Sequence, residues 1–374
     1  MSNASLPSGS PTVRHATTLT RASNEWSARP ADERFGSLPA LHDAVTAHRK
    51  DAGVARVPFG TLHAKALDGA VVLNGRTDTT AHLTHWAFGK LAQGAGAPAS
   101  YLATLPAPLA AECINDGLAT RANDSDAADD ALILFDRAAE LTARAITTDH
   151  YTRIWNSDIT ARLLRLESQG WQPAPAAFDG SRGLYAGNQD MFAFLVDNDR
   201  RIFETLPGGG LSRGFFVWNS EVGAAAFGIC TFLYEYVCGN HRVWGARDVS
   251  ELRIRHTGAA DDRAFAGLTA ELRKYAESSA GDDEARITAA RSFRLGNDKD
   301  AVLDAVFALK IAGLSRKLAE SAYTLAESRS DWYGDPRTAW GFTGGLTELA
   351  RDLPNADARV ALDRAAGKVL AVAF

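Results

Sequence analysis

The residues best placed to do chemistry cluster in one block, FFVWNSEVGAAAFGICTFLYEYVCGNHRVWG, running from Phe215 to Gly245. Asn219, Ser220 and Glu221 fall where one predicted strand ends. Cys238, Gly239 and Asn240 fall where the next one ends, and Trp218, His241 and Trp244 lie alongside. Polar side chains at strand ends beside rings can hold a ligand or a strand of nucleic acid. They can equally satisfy backbone groups in tight turns. If both corners converge on one pocket with Asn219, Asn240 and His241, Glu221 is a candidate general base. The block continues into LRIRHT, where Arg253 and Arg255 share one face of a strand and His256 follows. With Arg242 and Arg247 they form a local basic strip. The segment from Asn240 to Thr257 holds four arginines against Asp248 and Glu251. That excess suits phosphate contact, with Arg213, Arg253 and Arg255 on phosphates and bases stacked on Tyr or Trp rings. It equally suits an edge strand protected by charge.

Other constellations carry less. Cys238, His241 and His256 lack the fourth ligand and second cysteine pair of a structural zinc site, so no metal is expected. Asp197 and Asp199 could form a carboxylate pair on a strand, but Asn198 and Arg200 beside them favour a polar turn. No GxxxxGK[ST] loop occurs. GAGAPA, from Gly94 to Ala99, follows a predicted helix, which argues for a helix cap over a dinucleotide site, and no cofactor is expected. No GxSxG or cysteine–histidine signature marks a nucleophile, so the catalytic residues are not identified.

The elements that must position these residues give an α+β fold with a mainly antiparallel sheet core, flanking helices and a helical C-terminal region. Residues 1 to 34, rich in Ser, Thr, Ala and Pro, form a flexible tail. A core domain spans 35–258, with a short helix from Phe35 to His48 and a hairpin at Asp68-Gly69. A helix with Leu83, Trp86, Ala87 and Leu91 on one face follows. Next come a Pro98-initiated helix, a helix from Ala107 and the strands of ALILFD and LTARAITTDHYTRI. The apolar stretch Val222–Tyr234 reads as a buried strand and is too short to span a bilayer. From residue 259 the periodicity is helical, which suits packing or assembly.

Whole-chain properties bound the function further. The 374 residues are 46% hydrophobic and 23% charged, with a net charge of -5, so disorder, a collagen and a membrane bundle are excluded. A protein that coats nucleic acid by charge alone is usually basic, which counts against that mode. Three cysteines do not make a disulfide framework, and no signal-like N-terminal run is present, so the host cytoplasm is the expected compartment.

Four patches carry a resemblance: LTHWAFGKLAQGAGAPASYLATLP; DHYTRIWNSDI; WNSEVG with YEYVCGNHRVWG and RIRHTG; and TAWGFTGGLTELA with LDRAAGKVL. The chain resembles the domain-of-unknown-function 932 family of phages and plasmids. That resemblance implies a mobile-element role. A strand-rich core with flanking helices is also similar in outline to single-strand-annealing recombination proteins. The expectation is therefore an accessory protein that binds single-stranded DNA, anneals or recombines it, and forms a homo-oligomer without membrane contact. The alternatives are an enzyme built on Asn219, Glu221 and Asn240, or a host-takeover factor whose C-terminal helices bind another protein.

Overall fold

A computed structural model describes residues 33–75, 79–122, 130–173, 183–202, 210–235, 241–242, 252–277, 280–311, 314–351 and 365–373. For 200, 230–235, 241–242, 253, 274–277, 280–282 and 350–351 the description is of the backbone. The chain divides into two compact units. One comprises Pro30–Gly239 and Asp248–Asp282, and the other holds the C-terminal helices from Asp283 together with Asn240–Arg247.

The first unit opens with helix α1 (Leu38–Asp51), capped by Ser37, whose hydroxyl accepts from the Ala40 N–H. Strands β1 (Ala52–Pro58), β2 (His63–Leu67), β3 (Ala70–Asn74) and β4 (Thr80–Leu83) follow. Helices α2 (His85–Gly94), α3 (Ala99–Leu102) and α4 (Ala107–Ala122) come next, then β5 (Asp130–Asp136) and β6 (Thr142–Thr148). These six strands form one sheet in the order β1-β5-β6-β4-β3-β2, antiparallel except for β4 beside β6. Asp68 and Gly69 both adopt positive φ at the β2–β3 turn, as a two-residue hairpin requires. Leu83 belongs to β4 and not to a helix: Thr84 caps α2 through the Ala87 N–H, so the helix starts one residue later.

The second sheet follows helix α5 (Asn156–Glu167) and consists of β7 (Trp171–Pro173), β8 (Leu184–Ala186), β9 (Met191–Ile202), β10 (Leu211–Asn219) and β11 (Phe227–Glu235). After β12 (His241–Arg242), which falls in the other unit, β13 (Leu252–Ile254) pairs antiparallel with the start of β11. Adjacent strands run β7-β9-β10-β11. Helices α1, α5 and α6 (Ala260–Glu277) cover one face through Leu41, Ile159, Leu163, Ala264 and Leu268 against Leu195, Phe215, Val217 and Phe227. Phe192, Phe216 and Trp218 are also buried, so β9 and β10 are apolar on both faces, as a covered strand requires. Asp197 and Asp199 lie within β9 and not in a turn, and Asp197 pairs with Trp171 of β7.

The second unit contains most of α7 (Ala280–Ser292), then α8 (Lys299–Ala308), α9 (Arg316–Ser328), α10 (Ser330–Tyr333) and α11 (Ala339–Arg351). Its own core is built from Val302, Leu303, Ala322, Tyr323, Phe342 and Leu346. Gly345 lies so close to the Ala322 carbonyl that a side chain would collide with it, which lets α9 and α11 pack backbone to backbone. No helix among the described residues is long and apolar enough to cross a membrane.

Candidate functional site: a buried arginine cluster at the β10 corner

Strand β10 delivers Asn219 to a corner, Asn219–Ala226, that docks on the first sheet. Val222 packs with Leu134 of β5, Ala145 of β6 and Trp86 of α2. Its carbonyl accepts the Trp86 indole N–H at 2.8 Å. The run from Val222 to Ala226 is apolar because it lies against that sheet, so β11 begins at Phe227, later than the hydrophobic stretch suggested.

Every polar side chain of the corner is engaged. Asn219, fully buried, donates from Nδ2 to the Ile154 carbonyl and to Asn156 Oδ1, each at 2.8 Å. Ser220 donates to the Gln189 carbonyl at 2.5 Å and accepts from the Ala224 N–H. The Tyr151 hydroxyl donates to the Ser220 carbonyl at 2.7 Å. Glu221 Oε1 accepts the Asn156 N–H at 2.9 Å, at the first residue of α5. Its Oε2 lies 3.5 Å from Arg144 Nη1, and both side chains of this pair are about 95% shielded from solvent, at 6% and 4% exposure. A carboxylate at a helix N-terminus compensates free N–H groups and the macrodipole there. Glu221 therefore ties β10 to α5 and β6.

A second row of groups stands behind this pair. Tyr151, Arg153 and Trp155 are spaced by two in the extended segment that leads into α5. The Arg153 guanidinium carbon is 5.3 Å from the Tyr151 ring and 5.7 Å from the Trp155 ring. Arg49 lies 5.0 Å from the Trp155 ring and pairs with Asp158 at 2.5 Å. His256 stacks on Tyr151 with centroids 4.9 Å apart and planes 9° apart. Rings and guanidinium groups thus form a row in the order His256, Tyr151, Arg153, Trp155, Arg49, the first contact a ring stack and the rest of the cation–π kind.

Four buried polar atoms in this row and the adjoining corner have no hydrogen-bond partner: Arg153 Nε and Nη2, Asn219 Oδ1 and His256 Nε2. His256 Nδ1 is 3.0 Å from the Thr152 carbonyl, which can only accept. Nδ1 therefore carries the proton and Nε2 is a bare acceptor. Burial, with the nearby Arg153 charge, pushes the His256 imidazole down to about 4. Burial also raises the Tyr151 phenol, and it lowers Arg153, with Arg144 adding repulsion against Glu221's attraction.

The residues singled out from the sequence are dispersed by this geometry. Asn219, Ser220, Glu221 and His256 are brought together. Trp218 is 2% exposed and lies over Gly228, so it cannot stack a nucleobase. Asn219 is likewise sealed, which corrects its place among nucleic-acid contacts. Arg213 is half-buried in β10 opposite Leu233, and Arg255 is exposed just before His256. Arg253 pairs opposite Gly228 by its backbone. Asn240 and Trp244 lie outside the described residues, and His241 and Arg242 are described only as strand β12. The second corner, Cys238, Gly239 and Asn240, lies outside the described residues; antiparallel pairing puts Glu235, the end of β11, opposite Leu211, at the far end of the hairpin from Asn219. β11 thus leads away from the Glu221 corner. With both carboxylate oxygens engaged, Glu221 has no free edge for general-base work. Tyr151, Arg153 and Trp155 escaped notice, although their period-two spacing inside DHYTRIWNSDI was the available signal.

No family model matches the chain, and neither a curated protein nor a solved structure is detectably similar to it.

Proposed function

We propose that this chain is a mobile-element accessory protein that binds single-stranded nucleic acid and holds it by its phosphates. The observation behind this reading is the Arg153 guanidinium, 5.3 Å from the Tyr151 ring and 5.7 Å from the Trp155 ring, whose Nε and Nη2 are buried without a partner, so that a phosphate reaches them only where the cover over them opens. Arg255, exposed beside His256 in the segment that bridges to Tyr151 through Thr257, offers a second cation near this site. Phosphate contacts supply sequence-independent affinity, which suits an annealing or recombination role. The four patches resembling the phage and plasmid family supply the mobile-element setting. Annealing by a homo-oligomer is the strongest form of the reading.

The test is fluorescence anisotropy with a labelled single-stranded oligonucleotide at low and moderate salt. Micromolar binding is expected at low salt, and Arg153→Gln combined with Arg255→Gln should weaken it by about tenfold or more, since each phosphate contact contributes separately. An unchanged anisotropy at micromolar protein and low salt ends this reading.

A further inference from the structure

We infer that the outer edge of β1 pairs with β1 of a second copy of this chain, antiparallel about a two-fold axis at Ala55. The pairing rests on the nucleic-acid reading only for the use made of the dimer, and on the backbone for everything else.

The two edges of the six-stranded sheet, β1 and β2, are treated differently. At β2 the Asn115 carboxamide of α4 accepts the Ala64 N–H at 2.7 Å and donates to the Ala64 carbonyl at 2.9 Å. One side chain there stands in for a further strand. The β1 ladder fixes which of its own groups turn outward. The Arg137 N–H donates to the Asp51 carbonyl, one step before the pair Ala52–Asp136. Bonded pairs alternate, so Gly53, Ala55 and Val57 bond β5, and Val54 and Arg56 point their N–H and C=O away from it. The other side of β5 agrees. The Asp149 N–H donates to the Asp130 carbonyl, so Asp130 and Leu132 bond β6, while Ala131 and Ile133 bond β1. Among the described residues, none hydrogen-bonds the outward backbone groups of Val54 and Arg56. Val54 is 51% exposed and the Arg56 side chain 59%. An open edge of this kind is a template for another strand.

The edge is self-complementary, which selects a second copy as the occupant. Turned about Ala55, its midpoint, β1 overlaps its mate along the whole strand. Val54 then meets Arg56 of the second copy, and each of these two pairs exchanges both hydrogen bonds. Ala52 meets Pro58, and there the used groups coincide. Pro58 has no N–H, and its carbonyl accepts the Thr61 hydroxyl, while the Ala52 N–H is given to the Arg49 carbonyl of α1. A strand with free groups at both ends would leave them unpaired at these positions, whereas a second β1 brings the same blunting to the same places. Charge agrees as well. Arg56 is held by Asp130 at 2.6 Å and by Asp149 at 2.8 Å in its own sheet, so each copy brings a compensated cation. An axis at Arg56 would set two guanidinium groups directly opposite, and an axis at Val54 would shorten the overlap. The contact is isologous and joins two sheets into one.

The experiment is sedimentation velocity of the full chain, without nucleic acid, from micromolar to hundred-micromolar protein. The wild type should show a monomer–dimer equilibrium. Val54→Pro removes one outward N–H from each copy and leaves the bonds to β5 in place, so it should weaken the dimer about tenfold or more. Val54→Lys, which sets a cation beside Arg56 of the second copy, should weaken it as well. Near-UV circular dichroism and the melting temperature check that each variant is folded. Tyr101→Lys alters another exposed ring, on α3, and should leave the dimer intact. Position 55 reports the axis. Unbonded antiparallel pairs approach to about 4.5 Å between Cα atoms, within reach of a disulfide. In a Cys113→Ser background, Ala55→Cys should therefore give a cross-linked dimer on mild oxidation, and the background alone should give none. A monomer throughout the range overturns the pairing, as does a dimer indifferent to both Val54 variants or a failure of Ala55→Cys to cross-link. A monomer whose Val54 and Arg56 amides resist deuterium exchange places another segment of the chain on the edge and overturns the second copy as occupant. A dimer with no anisotropy change on DNA leaves the edge standing and ends the nucleic-acid reading. DNA binding by a monomer ends the edge alone.

Discussion

At the scale of single residues, His256 is where the site meets solution pH. Its imidazole is buried, stacked on Tyr151 and pushed down to about 4 by burial and by Arg153. Above the ordinary value of 6.5, neither the folded nor the unfolded chain carries this proton, and His256 makes no difference to stability. As pH falls below 6.5 the unfolded chain takes the proton first. Stability then declines until the folded form is protonated near pH 4, with a total loss of about 3 kcal/mol. Urea midpoints measured from pH 7 to pH 4 should fall more steeply for the wild type than for His256→Asn, which cannot titrate. Parallel curves would show that the imidazole titrates normally and is not sealed. The sequence marked His256 as a site residue but for another reason, as an end-of-strand contact. Its burial depends on the Tyr151 ring, 105 positions earlier in the chain, which no local pattern reports.

At the scale of elements, Glu221 is the joint between the two sheets of the first unit. It compensates Arg144 from β6 and caps α5, so removing it strands a buried guanidinium and frees a helix end at once. Glu221→Ala should lower unfolding stability by about 3–5 kcal/mol, the range for breaking a buried pair from one side. Replacing both partners, with Arg144→Met added, should recover a substantial part of that loss, because no unpaired charge then remains. Denaturant unfolding of the single and double variants decides it. A single-variant cost below about 1 kcal/mol would mean that the pair is solvated and the joint is elsewhere. The Asn-Ser-Glu corner was legible as a polar cluster at a strand end, and Asp68-Gly69 was legible as a hairpin from its turn chemistry alone. What was not legible is that the corner's partners come from the segment Ile154–Asn156 and from β6. The apolar run after Glu221 looked like strand because packing beneath Leu134 and Ala145 demands the same residue types as a strand interior. Hydrophobicity reports burial before it reports conformation.

At the scale of the whole molecule, the helical region begins near residue 259 as its periodicity indicated. Its first helix, α6, nonetheless belongs to the sheet unit through Ala260, Ala264 and Leu268, so the division falls after Asp282 and not at the change in periodicity. Charge sets the last expectation at this scale. The chain carries a net charge of -5, so its overall field does not attract nucleic acid, and binding must come from a few local cations. Arg49 is paired with Asp158 and Arg144 with Glu221, so on the proposed reading Arg153 and Arg255 are the candidate phosphate contacts. Two contacts on a single strand predict a logarithmic salt slope of about -1.4, or roughly a sevenfold loss of affinity between 50 and 200 mM salt. Arg153→Gln should bring the slope to about -0.7. A wild-type slope as steep as about -3 would require at least two further cations, and the interface would then have to be sought on a different surface of the protein.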